Sequence, residues 1–166
     1  MNYIIDSNVF ITPHRGYSPI DVAVSLWAKL RDLAQCGTIN SIDKVEDELN
    51  THDDELSLWM RTNVPNSFFL STNTQETINK LQSIINWANS STFYNQTAKR
   101  KFLHLDKADI YLVAFAAVDP TNWTVVSMEK PNPHNTGEIK LPDACTYFNV
   151  RCISLQDMMR ELGEIY

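Results

Sequence analysis

Asn2-Tyr3-Ile4-Ile5-Asp6-Ser7-Asn8-Val9-Phe10 is the stretch that decides how the rest of the chain is read. Asn2 to Ile5 is a short β-prone run that ends at a carboxylate, with Asn8 and Pro13 marking a turn region beyond it. The pattern predicts a buried first strand that stops at Asp6. In open parallel sheets ligands bind at the carboxyl ends of strands, so an acid there is well placed for a metal ion. A turn or helix-cap aspartate is the alternative for the same position.

Farther along, Trp123 to Met128 is a β-branched run that reads as a second buried strand, and Glu129 follows it as Asp6 follows the first. Between them the pattern is mostly helical. Apolar residues recur at helical intervals from Asp21 to Leu33, with Cys36-Gly37 as a stop. A second helix is predicted from Ser41 or Asp43, with Glu46 three residues after Asp43 as in a capping box, continuing or restarting through Leu56, Leu58 and Trp59. Phe68-Phe69-Leu70 is a brief apolar stretch, and a further helix runs from Thr74 to Ala88. Asp106-Lys107-Ala108-Asp109 leads into Ile110 to Val118, a helix with no polar face that must be central. After a loop containing Pro131, Pro133 and Gly137 come a short helix over Asp143 to Phe148 and a strand over Val150 to Ile153. Ser154 then caps a last helix over Leu155 to Leu162. Strands alternating with helices predict an α/β domain with a mostly parallel sheet.

Composition bounds the function. The 166 residues fit a single domain over 1–166, and 43% hydrophobic with 20% charged residues excludes disordered and collagen-like classes. No apolar run is long enough for a membrane span and the first residues lack the basic flank of a signal peptide, so the expected location is cytoplasmic. Cys36, Cys145 and Cys152 form no C-x-x-C pair and are expected to be reduced and packed. A net charge of -6 has the wrong sign for holding nucleic acid mainly by phosphate neutralisation, but a concentrated acidic site that attracts divalent cations would produce the same excess. Walker A, G-x-G-x-x-G, G-x-S-x-G and H-E-x-x-H motifs do not occur, and the four histidines lack metal-ligand spacing.

What remains is acidic. Asp109 stands at the mouth of the most apolar helix, where it is either a site residue or a capping-box acid favoured by the helix dipole. Glu46 and Glu48 flank the Val45–Leu49 direction on opposite sides, and helical geometry does not choose between them.

These residues together carry a resemblance. Tyr3 to Phe10 resembles the opening motif of the PIN domain family, the fold of VapC-type toxins of bacterial toxin–antitoxin pairs. Glu48-Leu49 resembles the family's second acidic position, Ala108 to Ala116 its third, and Val125 to Glu129 the strand that supplies its fourth. The order and rough spacing hold over nearly the whole chain, with Val150 to Ser154 as the last strand. Three features depart from a standard toxin: Glu129 replaces the usual Asp, the loop from Lys130 to Pro142 is long, and Asp143 could share or take over the fourth role.

The resemblance implies a three-layer α/β/α fold and a metal-dependent ribonuclease. Asp6, Glu48, Asp109 and Glu129 would hold Mg²⁺ or Mn²⁺, Asn8 and Ser127 would orient them, and Arg15, Lys99, Arg100 and Lys101 would meet RNA phosphates. Partners would be RNA substrate, an antitoxin protein and a second copy of the chain in a homodimer. A non-catalytic PIN-like binding module is one rival. A haloacid-dehalogenase-like phosphatase is a weaker one, since its chemistry needs a second Asp where Asn8 stands.

Overall fold

The structure, a computed structural model, describes residues 2–164. Its strands are β1 (Asn2–Ile5), β2 (Ile39–Ile42), β3 (Phe69–Leu70), β4 (Trp123–Val126) and β5 (Arg151–Ile153). All pair in parallel, in the order β3-β2-β1-β4-β5. The helices are α1 (Asn8–Arg15), α2 (Val24–Gln35), α3 (Asp43–Asn50), α4 (Glu55–Asn63), α5 (Gln75–Ser90), α6 (Gln96–Phe102), α7 (Asp109–Val118), α8 (Leu141–Tyr147) and α9 (Leu155–Leu162). The architecture is three-layer α/β/α, as expected.

Parallel strands need crossover connections, and the helices that provide them cover the sheet. Ile4, Ile5, Ile39, Ile42, Val125 and Val126 are consequently all fully buried. From β1 the chain builds outward through β2 and β3, then returns to add β4 and β5 on the other side. The strand order therefore reverses between β1 and β4, the crevice where such sheets bind ligands. The apolar helix α7 is central, burying Ile110, Leu112, Val113, Ala114, Ala116 and Ala117. Among the described residues no helix is long and apolar enough to cross a membrane.

Several boundaries differ from expectation for identifiable reasons. The turn region around Asn8 and Pro13 is helix α1, which carries Pro13 in its last turn and is closed by Gly16 donating its N–H to Pro13 O at 3.2 Å. Strand β2 is concealed by its polar centre: Ser41 is buried, and its hydroxyl donates to Ile5 O at 2.6 Å. The expected capping box at Asp43 does not form. That carboxylate instead accepts from Thr72 N at 3.0 Å and Thr72 Oγ1 at 2.7 Å, tying the end of β3 to the start of α3. The box occurs one helix later, between Asp54 and Ser57. Helix α8 starts at Leu141, two residues before Asp143.

Lys99 corrects a functional expectation. Only 7% exposed, it donates Nζ to Asn89 O at 3.1 Å and Ser91 O at 2.6 Å. These are carbonyls at the end of α5 that the helix itself cannot satisfy. Its charge clamps α6 to α5 and is not presented to a phosphate, whereas Arg100 and Lys101 on the same helix remain exposed. Hydrogen bonds from a charged donor contribute about 1.5–3 kcal/mol, so Lys99→Ala is expected to lower stability by about 2–3 kcal/mol in urea unfolding. Lys101→Ala should stay within about 0.5 kcal/mol of wild type. Equal midpoints for the two variants would contradict the clamp.

Candidate functional site

The β1–β4 register pairs Ile5 with Val126, so the next residues out, Asp6 and Ser127, leave the sheet side by side. Asp6 N donates to Val126 O at 3.0 Å, continuing the ladder one step, and Ser127 Oγ donates to Asp6 Oδ2 at 3.0 Å. Asp6 is 2% exposed. Ser127 Oγ also accepts from Glu129 N at 3.1 Å, so one hydroxyl orients the first acid and fixes the backbone of the last. Asn8 works one step back: its Oδ1 accepts from Met128 N at 2.9 Å and its Nδ2 donates to Ser127 Oγ at 3.4 Å.

Glu48, not Glu46, turns toward this crevice. Its Oε2 accepts from Ser7 Oγ at 2.6 Å, and its Oε1 accepts from Ala108 N at 2.8 Å, the first amide of the turn into α7. Glu46 is exposed on the other flank of α3, beside Leu49, Asn50 and Arg61. Glu129 Oε2 accepts from Leu141 N at 3.2 Å at the start of α8.

Ser7 Oγ joins two of the acids, lying 2.6 Å from Glu48 Oε2 and 3.5 Å from Asp6 Oδ1. Burial pushes the Asp6 carboxyl well above the usual range, and the charges of Asp109, Glu48 and Glu129 push it further against the opposing hydrogen bond from Ser127. Asp109 is pushed up to about 6 by burial first, then by Glu129 and Glu48, with Lys107 pulling the other way. Each of the four expected acids thus borders the same crevice. Asp143 does not: its Oδ2 accepts from Asn132 N at 2.9 Å, and it lines a separate groove with Trp87 and Tyr94. Of the two acids flanking the loop, Glu129 is the one at the crevice. Arg15 is exposed and faces Asp54 at 3.9 Å.

Three nearby residues escaped the sequence reading. Ser7 stands inside the quoted motif, yet its hydroxyl serves Glu48 from across the crevice. Lys107 precedes α7 by two residues and feels Asp109 directly. Lys140 pairs with Glu138 at 3.0 Å, and Glu129 and Asp109 add to holding its ammonium charged. The sequence offered only the nearness of Lys107 to Asp109 as a signal.

The donor set consists of carboxylate oxygens, the hard ligands suited to Mg²⁺, Mn²⁺ or Ca²⁺. Among the described residues no three acid, His or Cys side chains close on a single ion position. Asp6, Glu48 and Glu129 are each oriented by hydroxyl or amide donors.

Carboxyl groups raised by folding stabilise the protein fully below their unfolded values near 4, and that contribution disappears as pH rises through the folded value, about 6 for Asp109. In chelator, the melting temperature should therefore rise as pH falls from about 7.5 to about 5. Asp109→Asn should flatten this rise, removing at most about 3 kcal/mol of pH dependence. At neutral pH the variant should be at least as stable as wild type. Parallel pH profiles for the two proteins would show that Asp109 feels no acidic neighbours.

No curated protein and no solved structure matches the sequence. A family model described as "Domain of unknown function (DUF4411)" matches residues 3–166, and the chain belongs to that family.

Proposed function

We propose that this protein is a divalent-metal-dependent ribonuclease with a PIN-like site that hydrolyses RNA phosphodiester bonds. The observation that carries the proposal is that Asp6, Glu48, Asp109 and Glu129 meet at the crevice where the strand order reverses: Ser7 Oγ lies against Asp6 and Glu48, Ser127 Oγ against Asp6 and the Glu129 amide, and Glu48 takes the amide of Ala108, next to Asp109. Four carboxylates in a half-dry crevice destabilise the chain unless a cation offsets them, and such an arrangement persists where the cation has a use.

The residues fit Mg²⁺ or Mn²⁺. Mg²⁺ keeps several waters and takes one or two carboxylates directly, so acids spread about a crevice suit it as well as a tight cage. When bound, the ion would lower the pKa of a water and offset charge developing on the phosphate. The chain itself does the positioning. Ser127 holds Asp6, Ser7 and Ala108 N hold Glu48, and Leu141 N holds Glu129. Lys107 and Lys140 bring positive charge to the rim, where the non-bridging oxygens of a phosphodiester would rest. The phosphatase rival is weakened further because Asn8, at the position its acid/base would need, has its amide committed to Met128 N and Ser127.

Cleavage of mixed RNA should require Mg²⁺ or Mn²⁺ and leave 5′-phosphate and 3′-hydroxyl ends. Asp6→Asn and Asp109→Asn, shown folded by circular dichroism, should each lose roughly 100-fold or more. Glu48→Gln should behave like them, whereas Glu46→Gln should keep wild-type cleavage. RNA binding without turnover in either metal would favour the non-catalytic module.

Binding linkage gives a readout independent of RNA. Millimolar Mg²⁺ or Mn²⁺ should raise the wild-type melting temperature, and raise it much less in Asp6→Asn. An unchanged wild-type midpoint would argue that the crevice takes no ion.

A further inference from the structure

Four aromatic rings are braced in series at the end of α5, outside the acidic crevice. Trp87 stacks on Tyr147 of α8 with centroids 4.7 Å apart and planes at 28°. Tyr94 meets Trp87 edge-on at 6.0 Å, and Phe93 meets Tyr94 at 5.0 Å and 85°. The two ends of the series are open: Tyr147 is 60% exposed and Phe93 47%. Between them lies a groove of about 380 Å³, within the size range of small-ligand sites. Rings held this firmly lose little freedom when another flat group stacks on them.

The groove leads to the acids. Pro131 and Thr146 line it and also line a neighbouring hollow of about 320 Å³ that contains Glu129 and Lys130. A chain lying across the rings can thus continue past Lys130 to Glu129. Asp143 stands in the groove wall, its Oδ2 fixed by Asn132 N, and a carboxylate there accepts hydrogen bonds from an exocyclic amine while repelling phosphate. The apolar surface of the groove is made of rings, the exposed Tyr147 and Phe93 and the half-buried Trp87 and Tyr94 with Pro131 and Pro133, interrupted by Asp143 and Thr146, a lining suited to a flat base.

We propose that this groove is a nucleobase subsite, stacking a base of single-stranded RNA against Tyr147 and Phe93 while the adjoining backbone runs past Lys130 toward Glu129. The proposal rests on the ribonuclease reading and adds its substrate class, single strands with a base bearing an exocyclic amine. Stacking of this kind is sequence-tolerant, so Asp143 supplies preference and the rings supply affinity.

Fluorescence anisotropy with short labelled oligoribonucleotides, in chelator so that nothing is cut, tests it. Tyr147→Ala and Phe93→Ala should each weaken binding about tenfold, and Tyr147→Phe should retain wild-type affinity. Oligocytidylate and oligoadenylate should bind more tightly than oligouridylate, a preference that Asp143→Asn reduces. An abasic ribose-phosphate chain of equal length should bind about as weakly as the alanine variants. Wild-type affinity in both alanine variants, equal binding of the abasic chain, or no wild-type binding would each overturn the subsite. Cleavage of mixed RNA by wild type in Mg²⁺ or Mn²⁺ tests the ribonuclease reading separately. Its loss with ring-dependent binding intact defeats only that reading, and its presence with ring-independent binding defeats only the subsite.

Discussion

A carboxylate removed from water at the end of β1 is the constraint on which the rest of this structure depends. Asp6 is 2% exposed, and its near partners are hydroxyls, Ser127 Oγ at 3.0 Å and Ser7 Oγ at 3.5 Å. Burying a charge with so little compensation is expensive, and two neutral donors do not offset it. The surroundings make the position worse, since the nearest charges are Asp109, Glu48 and Glu129. The fold maintains this arrangement through strong features elsewhere: a parallel sheet buried on both faces, helix α7, apolar after Asp109, and Lys99 closing α5 onto α6. Strain concentrated at one crevice of an otherwise consistent fold is where function is expected.

Much of that framework could be read from sequence because it rests on local patterns. The strand ending at Asp6, the apolar α7 and the strand before Glu129 each declare themselves by composition and period. What escaped was set by contacts between distant residues. Strand β2 is four residues long with Asn40 and Ser41 at its centre, and it belongs to the sheet through its pairing with β1 and β3, partners distant in sequence, with the Ser41 hydroxyl satisfied by Ile5 O. Asp43 and Glu46 have capping-box spacing, but Thr72 outbids the local partner for the Asp43 carboxylate. The three-residue run Lys99-Arg100-Lys101 looks like a basic patch in one dimension. Wrapped on a helix, it divides into one buried clamp and two exposed cations.

The acidic crevice divides in the same way. Asp6 and Glu129 were legible as strand-end acids, and the reversal of strand order between β1 and β4 explains why those two ends in particular share a crevice. Glu48 against Glu46 was not legible, since both lie one helical step from the buried Val45–Leu49 line. The choice is made by two donors that reach α3 from other elements, the Ser7 hydroxyl and the Ala108 amide, and both lie on the Glu48 side. Asp143 looked equivalent to Glu129 in sequence because both flank the same loop. The loop folds so that Asp143 holds its own backbone at Asn132, leaving the crevice to Glu129.

The Ala108 contact also joins structure to chemistry. The start of α7 has no side-chain cap of its own, and its first free amide is satisfied instead by Glu48 from α3. The same contact places a negative charge at the positive end of the α7 dipole, which eases the repulsion between Glu48 and Asp109. Glu48 is therefore both a cap supplied by another helix and a member of the acidic set, and loss of its side chain would disturb both. An amide in its place separates the roles. Glutamine keeps one oxygen for Ala108 N, and its NH2 replaces the oxygen that Ser7 Oγ donates to, so the hydroxyl turns to accept; the contact to the α7 start survives while the crevice loses one of its four anions. If the acids are only the residue of a capping scheme, that exchange leaves the protein unchanged. If their charge is what the fold maintains at the crevice, affinity for a divalent cation falls while the α7 start stays in place.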